Sequence, residues 1–315
     1  MKFIGQRTII EGFKDKIVNN TMSHAYTLTG PVGIGKKSLA HYLAKMILCT
    51  GSADSAPCGK CRSCKSFEAG SNPQFMAVRS STQKILIKQI RELIDDIGVR
   101  PSHSRKVYVI EDADRMTVDA QNCLLKTLEE PPEYAVIFLT TAYFESLIVT
   151  VRSRVVQLKL QPYSTEELKE ILEMTGIDAR GKEHLLKWSM GVPGRAIDLI
   201  SDSNFEKNRE MVMKFVFEDE LSMLDFNQYL SGKKEVFTQC MDILETVYRD
   251  ILFVLYGLGE ELINCDKKDK ILEYAKSFNS SDILDKISKI SDIRANLKRN
   301  MNYQLAVDMV TLELK

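Results

Sequence analysis

Gly30-Pro31-Val32-Gly33-Ile34-Gly35-Lys36 constrains this chain more than any other segment, because few folds place such a turn between two apolar elements. Ala25-Tyr26-Thr27-Leu28-Thr29 precedes it and reads as a strand. Lys36 to Cys49 follows and reads as a helix, with Leu39, Leu43, Met46 and Ile47 on one face. Gly30, Gly33 and Gly35 let backbone N–H groups close around an anion, and the helix start adds partial positive charge. Lys36 is placed to reach the outer phosphates of a nucleotide. The competing reading is a glycine-rich turn with no ligand.

The flanking pattern supports a phosphate-binding loop. Phe75 to Arg79, Val107 to Ile110, Ala135 to Thr140 and Val155 to Leu158 read as four further strands. Ile85 to Ile97 carries isoleucines at helical spacing, and Asp119 to Glu130 reads as a helix stopped by Pro131-Pro132. Strands alternating with helices predict a parallel sheet covered on both faces. After Pro162 the pattern changes. Ser164 and Glu167 form a capping box at a helix running to Gly176. Beyond it Phe205 to Phe217, Glu235 to Tyr256 and Ile283 to Leu314 read as helical, with no convincing strand. These changes set boundaries at 161 and 203: an α/β domain over 1–161, a small helical unit over 162–203 and a helical bundle over 204–315.

The loop departs from its pattern at one position. Ser or Thr should follow Lys36, since its hydroxyl binds Mg²⁺. Lys37 stands there instead, and Ser38 comes one helical step, roughly 100°, too late. The apolar run Val107 to Ile110 ends in Glu111-Asp112, where an acid helps hold Mg²⁺ in nucleotide hydrolases. Glu111 is one methylene too long for the metal slot. Asp112 is about 1.5 Å shorter than a glutamate, and a misplacement of about 1 Å can cost around a hundredfold in rate. The bland alternative is a solvated acidic turn.

Cys49, Cys58, Cys61 and Cys64 form a C-x8-C-x2-C-x2-C pattern. Thiolates at this spacing wrap tetrahedral Zn²⁺, and four protein ligands leave no open position, so the zinc would be structural. Cys123, Cys240 and Cys265 are isolated and read as packing residues. Arg152 and Arg154 precede the last strand, and Gly194-Arg195 opens a helix. From the residues alone each arginine reads as an ordinary surface ion pair.

Taken together, these motifs resemble bacterial clamp-loader subunits of the AAA+ class. The resemblance rests on Ser23-His24-Ala25-Tyr26, the four-cysteine insertion, and Leu125-Lys126-Thr127-Leu128-Glu129-Glu130-Pro131-Pro132. It also rests on Arg152-Ser153-Arg154-Val155, similar to the family's Ser-Arg-Cys motif with Val155 for the cysteine, and on Asn300 to Ala306 near the C-terminal end. The resemblance implies an α/β AAA+ P-loop core with a parallel sheet, a small helical lid and an all-α collar domain that mediates oligomerisation. It implies partners: the gamma/tau and delta subunits through the core and collar, and the sliding clamp and primed DNA in the assembled loader. It implies that Arg154 is an arginine finger acting on a neighbour's ATP. Arg195 falls at the lid arginine called sensor 2, and Thr140 or Thr141 at sensor 1. The departures at Lys37, Glu111 and Asp112 fit a subunit whose own ATP site is degenerate, and leave ATP binding open.

Two other functions compete. An ATPase-active subunit similar to gamma/tau requires an intact loop hydroxyl and an Asp-Glu order. A zinc-dependent DNA-binding protein requires a basic face beside the cysteines, where Lys60, Arg62 and Lys65 supply only a small one. Lys and Arg total 43, as do Asp and Glu, so the formal net charge is zero. That argues against a DNA-coating protein. Met1 to Arg7 carries no apolar signal region, and no apolar run is long enough for a membrane span. The expected location is the cytosol.

Overall fold

The structure is a computed structural model that describes residues 3–52, 55–80, 83–101, 105–218 and 221–315. Met1 and Lys2 of the N-terminal stretch lie outside these residues. Packing gathers the chain into two compact units. The first comprises Met1–Thr175 with Gly191–Gly194, and the second Gly176–Met190 with Arg195–Lys315. Compactness therefore separates the chain within the segment expected to form a lid.

In the first unit, β1 (Ala25–Thr29), β2 (Phe75–Val78), β3 (Lys106–Ile110), β4 (Ala135–Thr141) and β5 (Val156–Lys159) form one sheet. Its order is β2-β3-β4-β1-β5, and every pairing is parallel. β1, β3 and β4 are buried along their whole length, which explains why they read as unbroken apolar runs. Helices α1 (Arg7–Val18), α2 (Lys36–Ile47), α3 (Arg62–Glu68), α4 (Ile87–Gly98), α5 (Val118–Glu129), α6 (Val149–Arg152) and α7 (Thr165–Met174) complete the unit. Ser164 and Glu167 close the expected capping box on α7. The helix expected from Ile85 begins two residues later. Ile85 instead bridges to Met116, which leaves Ile90, Leu93 and Ile97 as the buried stripe of α4.

Register decides where chemistry can occur. Leu28 lies opposite Thr140 and Thr29 opposite Thr141, while Ile110 pairs with Leu139 and Val78 with Ile110. The carboxyl ends of four strands therefore open onto one edge. Gly30, Arg79, Glu111 and Thr140 sit at that edge.

The second unit is helical among its described residues. It contains α8 (Glu183–Trp188), the Arg195–Ser201 part of α9 (Pro193–Ser201), α10 (Phe205–Phe217) and α11 (Leu221–Leu230). It continues with α12 (Lys234–Leu255), α13 (Lys268–Ala275), α14 (Ser280–Lys298) and α15 (Tyr303–Glu313). The helical stretch expected from Ile283 to Leu314 is two helices. Asn300 takes a left-handed conformation (φ 66°), and the Asn302 side chain accepts from the N–H groups of Gln304 and Leu305 to start α15. Asparagine tolerates both roles, so two asparagines suffice to break the run. No helix among the described residues is long and apolar enough to cross a membrane.

One buried carboxylate fixes the turn after α12. Asp250 is fully buried, accepts from the N–H groups of Ile263 (3.0 Å) and Asn264 (2.7 Å), and pairs with Arg249 (2.8 Å). Asp250→Ala would strand three buried donors, the two N–H groups and the Asn264 side-chain amide. It should lower stability by roughly 3 kcal/mol in urea unfolding. A loss under about 1 kcal/mol would show that water replaces the carboxylate freely.

Candidate functional site

The glycine-rich turn leaves β1 and caps α2. Gly33 (φ 83°) and Gly35 (φ 96°) are left-handed, a conformation a Cβ would strain, and Gly35 is the N-cap of α2. The loop is closed by its own lysine. Lys36 is buried, and its ammonium donates to the carbonyls of Gly30 (2.8 Å) and Pro31 (2.9 Å). Burial pushes the Lys36 pKa below the usual lysine value, while Asp112 and Asp114 oppose that shift. The Gly194 N–H donates to the Gly33 carbonyl (2.9 Å), and a Cβ on Gly194 would stand 2.7 Å from Gly33 Cα. Gly194 thus supports the loop from below, a role that sequence reading missed because the two residues are far apart in the chain.

At the end of β3 the acidic pair faces cations. Lys37 Nζ lies 2.7 Å from Asp112 Oδ2 and 3.6 Å from Glu111 Oε2. Glu111 is 5% exposed, and its Oε1 lies 2.9 Å from Arg79 Nε and 3.0 Å from His41 Nε2. His41 stands four residues after Lys37, on the same face of α2, so helical spacing could have flagged it. Arg79 follows β2 and reaches Glu111 only because β2 and β3 are neighbours, which spacing does not reveal. Asp112 adopts a left-handed conformation (φ 52°), and its N–H donates to Thr140 Oγ1 (3.0 Å). The adjacent Thr141 Oγ1 accepts from the Tyr143 N–H (3.0 Å). Thr140 therefore holds the acidic turn at its backbone.

The residues of the AAA+ Mg²⁺ site do not fit the ion here. Position 37 offers no hydroxyl, and the chain's own cations face both carboxylates.

Arg154 follows α6. Its guanidinium donates to the Thr150 carbonyl (2.9 Å) and Ser153 Oγ (3.1 Å) and pairs with Glu129 Oε1 (2.7 Å). Glu129 belongs to the Leu125–Pro132 motif but was not marked as a partner of Arg154. Arg152 pairs with Glu145 and lies over the Phe144 ring. Arg195 is exposed and belongs to the second unit.

The four expected cysteines come together. Their sulfurs all lie within 4.8 Å of one another, and Cys49 Sγ is 4.0 Å from Cys61 Sγ. Tetrahedral zinc–thiolate geometry requires S···S separations of about 3.8 Å. Cys49 Sγ accepts from the N–H groups of Gly51 and Cys58 (both 3.4 Å), Cys58 Sγ from Cys61 N–H (3.4 Å), and Cys61 Sγ from Cys64 N–H (3.3 Å). Cys61 is also the N-cap of α3. Burial opposes ionisation of Cys61, but hydrogen bonds from Thr50 and the Cys64 N–H outweigh it and bring the thiol to about 5. Burial pushes Cys64 up to about 12. A bound cation would offset that cost, so the donor set fits a thiophilic metal.

Parallel order, phosphate loop and acidic turn define an AAA+ P-loop protein. Two family profiles cover most of the chain: "DNA polymerase III, delta subunit" over residues 5–164 and "DNA polymerase III, delta subunit, C terminal" over 203–315. The chain belongs to this DNA polymerase III family of AAA+ clamp-loader subunits, and within it to the delta-prime branch. DNA polymerase III subunit delta' of Bacillus subtilis is 29% identical over 98% of this chain and 96% of its own length. The delta' subunit of Pseudomonas aeruginosa is 37% identical over 43% of this chain and 42% of its own. The gamma subunit of Buchnera aphidicola is 36% identical over 56% of this chain, which spans 49% of that relative.

Gly194→Ala tests the support under the loop. The new methyl group meets backbone and not a flexible side chain, so Gly33 or Gly194 must shift. Overpacking of this kind costs about 1–3 kcal/mol. A lowered melting temperature and faster amide exchange over residues 30–36 are expected. An unchanged melting temperature would mean the contact is slack.

Proposed function

We propose that this chain serves as the delta-prime subunit of a clamp loader, lending Arg154 to a neighbouring subunit's ATP while its own nucleotide site does not hydrolyse. One observation carries the second half of this reading: cations of the chain itself occupy Glu111 and Asp112. A carboxylate held by Arg79 and His41 is a poor partner for an attacking water, and Lys37 cannot replace a Mg²⁺-binding hydroxyl. Thr140 acts at the sensor 1 position through its bond to the Asp112 N–H, and Arg195 acts as the lid arginine.

The first half draws support from the setting of Arg154. It lies in a short segment between α6 and β5, and its ion pair with Glu129 is partly exposed. On this reading the chain works in three parts: a core over 1–161, a lid over 162–203 and a collar over 204–315 that assembles with gamma/tau and delta subunits. The loader opens a sliding clamp and places it on primed DNA in the cytosol.

The metal at Cys49, Cys58, Cys61 and Cys64 is zinc in a structural role. Metal analysis of freshly purified protein should find about one zinc per chain. Cys61→Ser should release it and speed amide exchange from Cys49 to Cys64. A folded, metal-free protein with four freely titrating thiols would overturn this assignment.

Arg154→Ala, assembled with the partner subunits, tests the finger. Assembly should survive, because the collar and not this segment joins the subunits. Clamp- and DNA-stimulated ATP hydrolysis should fall. Arginine fingers are worth about 10³–10⁵ in rate where they dominate, and less where several ATP sites share turnover. Arg154→Lys should rescue poorly, since a point charge does not reproduce the planar fork. Full clamp loading by an assembled Arg154→Ala complex would reduce Arg154 to a surface residue.

A further inference from the structure

The nucleotide site of this chain does not lack a cation; it carries its own. Lys37 is the second residue of α2, immediately after the lysine that closes the loop. Its ammonium reaches the acidic turn and stands 2.7 Å from Asp112 Oδ2 and 3.6 Å from Glu111 Oε2. In a P-loop ATPase, a divalent ion lies between the residue at this position and the acid at the end of this strand. Here the residue at this position is itself the cation.

We propose that the Lys37 ammonium is a tethered substitute for the divalent ion, so that the loop takes a nucleoside polyphosphate without metal. This deepens the reading of the site as degenerate and rests on it. Three observations support the substitution. The ammonium stands at hydrogen-bonding distance from Asp112 Oδ2, and a Mg²⁺ coordinated by that oxygen at about 2.1 Å would have to displace it. Like-charge repulsion opposes any second cation there. The other Glu111 oxygen is engaged by Arg79 and His41, so that carboxylate has little capacity left for a metal.

The chemistry permits the exchange. An ammonium has three donors, and the two acidic residues do not use all of them. A remaining donor can serve an outer phosphate oxygen. Lys36 supplies a second positive charge once its ammonium turns from the Gly30 and Pro31 carbonyls to the phosphates. Lys36 plays this part in Mg²⁺-using loops as well, so the exchange puts one positive charge where Mg²⁺ has two. An ammonium offers no directed octahedral coordination, so it can neutralise a polyphosphate without organising the geometry for transfer.

The test uses fluorescently labelled ADP and the full-length, zinc-loaded chain. Affinity is measured with MgCl₂ and with NaCl at matched ionic strength. For the unmodified chain the two affinities should agree. Lys37→Thr restores the hydroxyl and removes the tethered charge, and its affinity should become at least about tenfold tighter with MgCl₂ than without. Lys37→Met supplies neither charge nor oxygen and should bind about tenfold more weakly than the unmodified chain in both salts. Melting curves establish that each variant is folded. A MgCl₂-dependent affinity in the unmodified chain would overturn the proposal, as would no binding in either salt or no loss on Lys37→Met. ATP hydrolysis by the unmodified chain would instead overturn the degenerate-site reading. A metal-dependent affinity without hydrolysis would defeat only the tethered cation.

Discussion

A nearly buried carboxylate facing two cations and a histidine holds the functional edge of the sheet together. Glu111 ends β3, Arg79 follows β2, and Lys37 and His41 come from one face of α2. Isolated in an apolar interior, an ionised glutamate would cost several kcal/mol, and the cations offset that cost. The consequence is positional. Because the cluster joins three elements, it fixes the start of α2 against the ends of β2 and β3. Thr140 adds β4 by accepting the Asp112 N–H. The phosphate loop is thus mounted on a frame whose charges are already balanced within the chain.

The cysteine module reaches the same frame through packing. It is inserted between α2 and β2, and Cys61 starts α3 as its N-cap. Phe67 of α3 lies 4.4 Å from the Phe75 ring of β2, and the His41 ring lies 5.1 Å from Phe75. Lys45 of α2 pairs with Glu68 of α3. A metal at the four sulfurs would therefore do more than close a loop: it would hold the helix whose aromatic residue backs His41, and His41 in turn faces Glu111. Since α3 has only seven residues and a helix so short is marginal alone, its place depends on the cysteine cap and these contacts.

Much of this was legible in the sequence, and the rest was hidden for identifiable reasons. β1, β3 and β4 are short, fully buried runs between breakers, which makes them legible in the sequence, whereas β5 is a largely exposed Val-Gln-Leu-Lys segment with a weaker signal. The loop and the cysteine cluster are local motifs whose geometry follows from spacing. The partners Arg79, Glu129 and Gly194 come from sheet order and tertiary approach, which no local window contains. His41 lies between these cases, since its four-residue offset from Lys37 was available but its target was not. In the helical unit, the asparagines at 300 and 302 lie inside a stretch whose apolar spacing reads as one continuous helix. Helical periodicity is insensitive to a break that keeps apolar residues on one face.

The two charged centres of the first unit differ in how readily they can be rearranged, and that difference matches the division of labour in the proposed role. Glu111 is nearly buried, so removing one of its partners would leave a poorly compensated charge. The Arg154 guanidinium is about one-third exposed and the Glu129 carboxylate about half. A pair so open to solvent is worth about 0–1 kcal/mol. Exchanging Glu129 for a more highly charged phosphate would therefore cost Arg154 little, and charge-assisted bonds to phosphate are the stronger kind. A ligand shifts an equilibrium only by its differential affinity for the two states. The Lys37 ammonium is itself about half exposed, so what distinguishes the acidic turn is the nearly buried Glu111 that it also faces, whereas the Arg154 pair has no buried member and would leave a neighbour's nucleotide ample purchase. On the proposed reading, an ammonium in place of a hydroxyl at position 37 would keep Mg²⁺ from the chain's own site and leave its nucleotide response to the arginine it offers a neighbour.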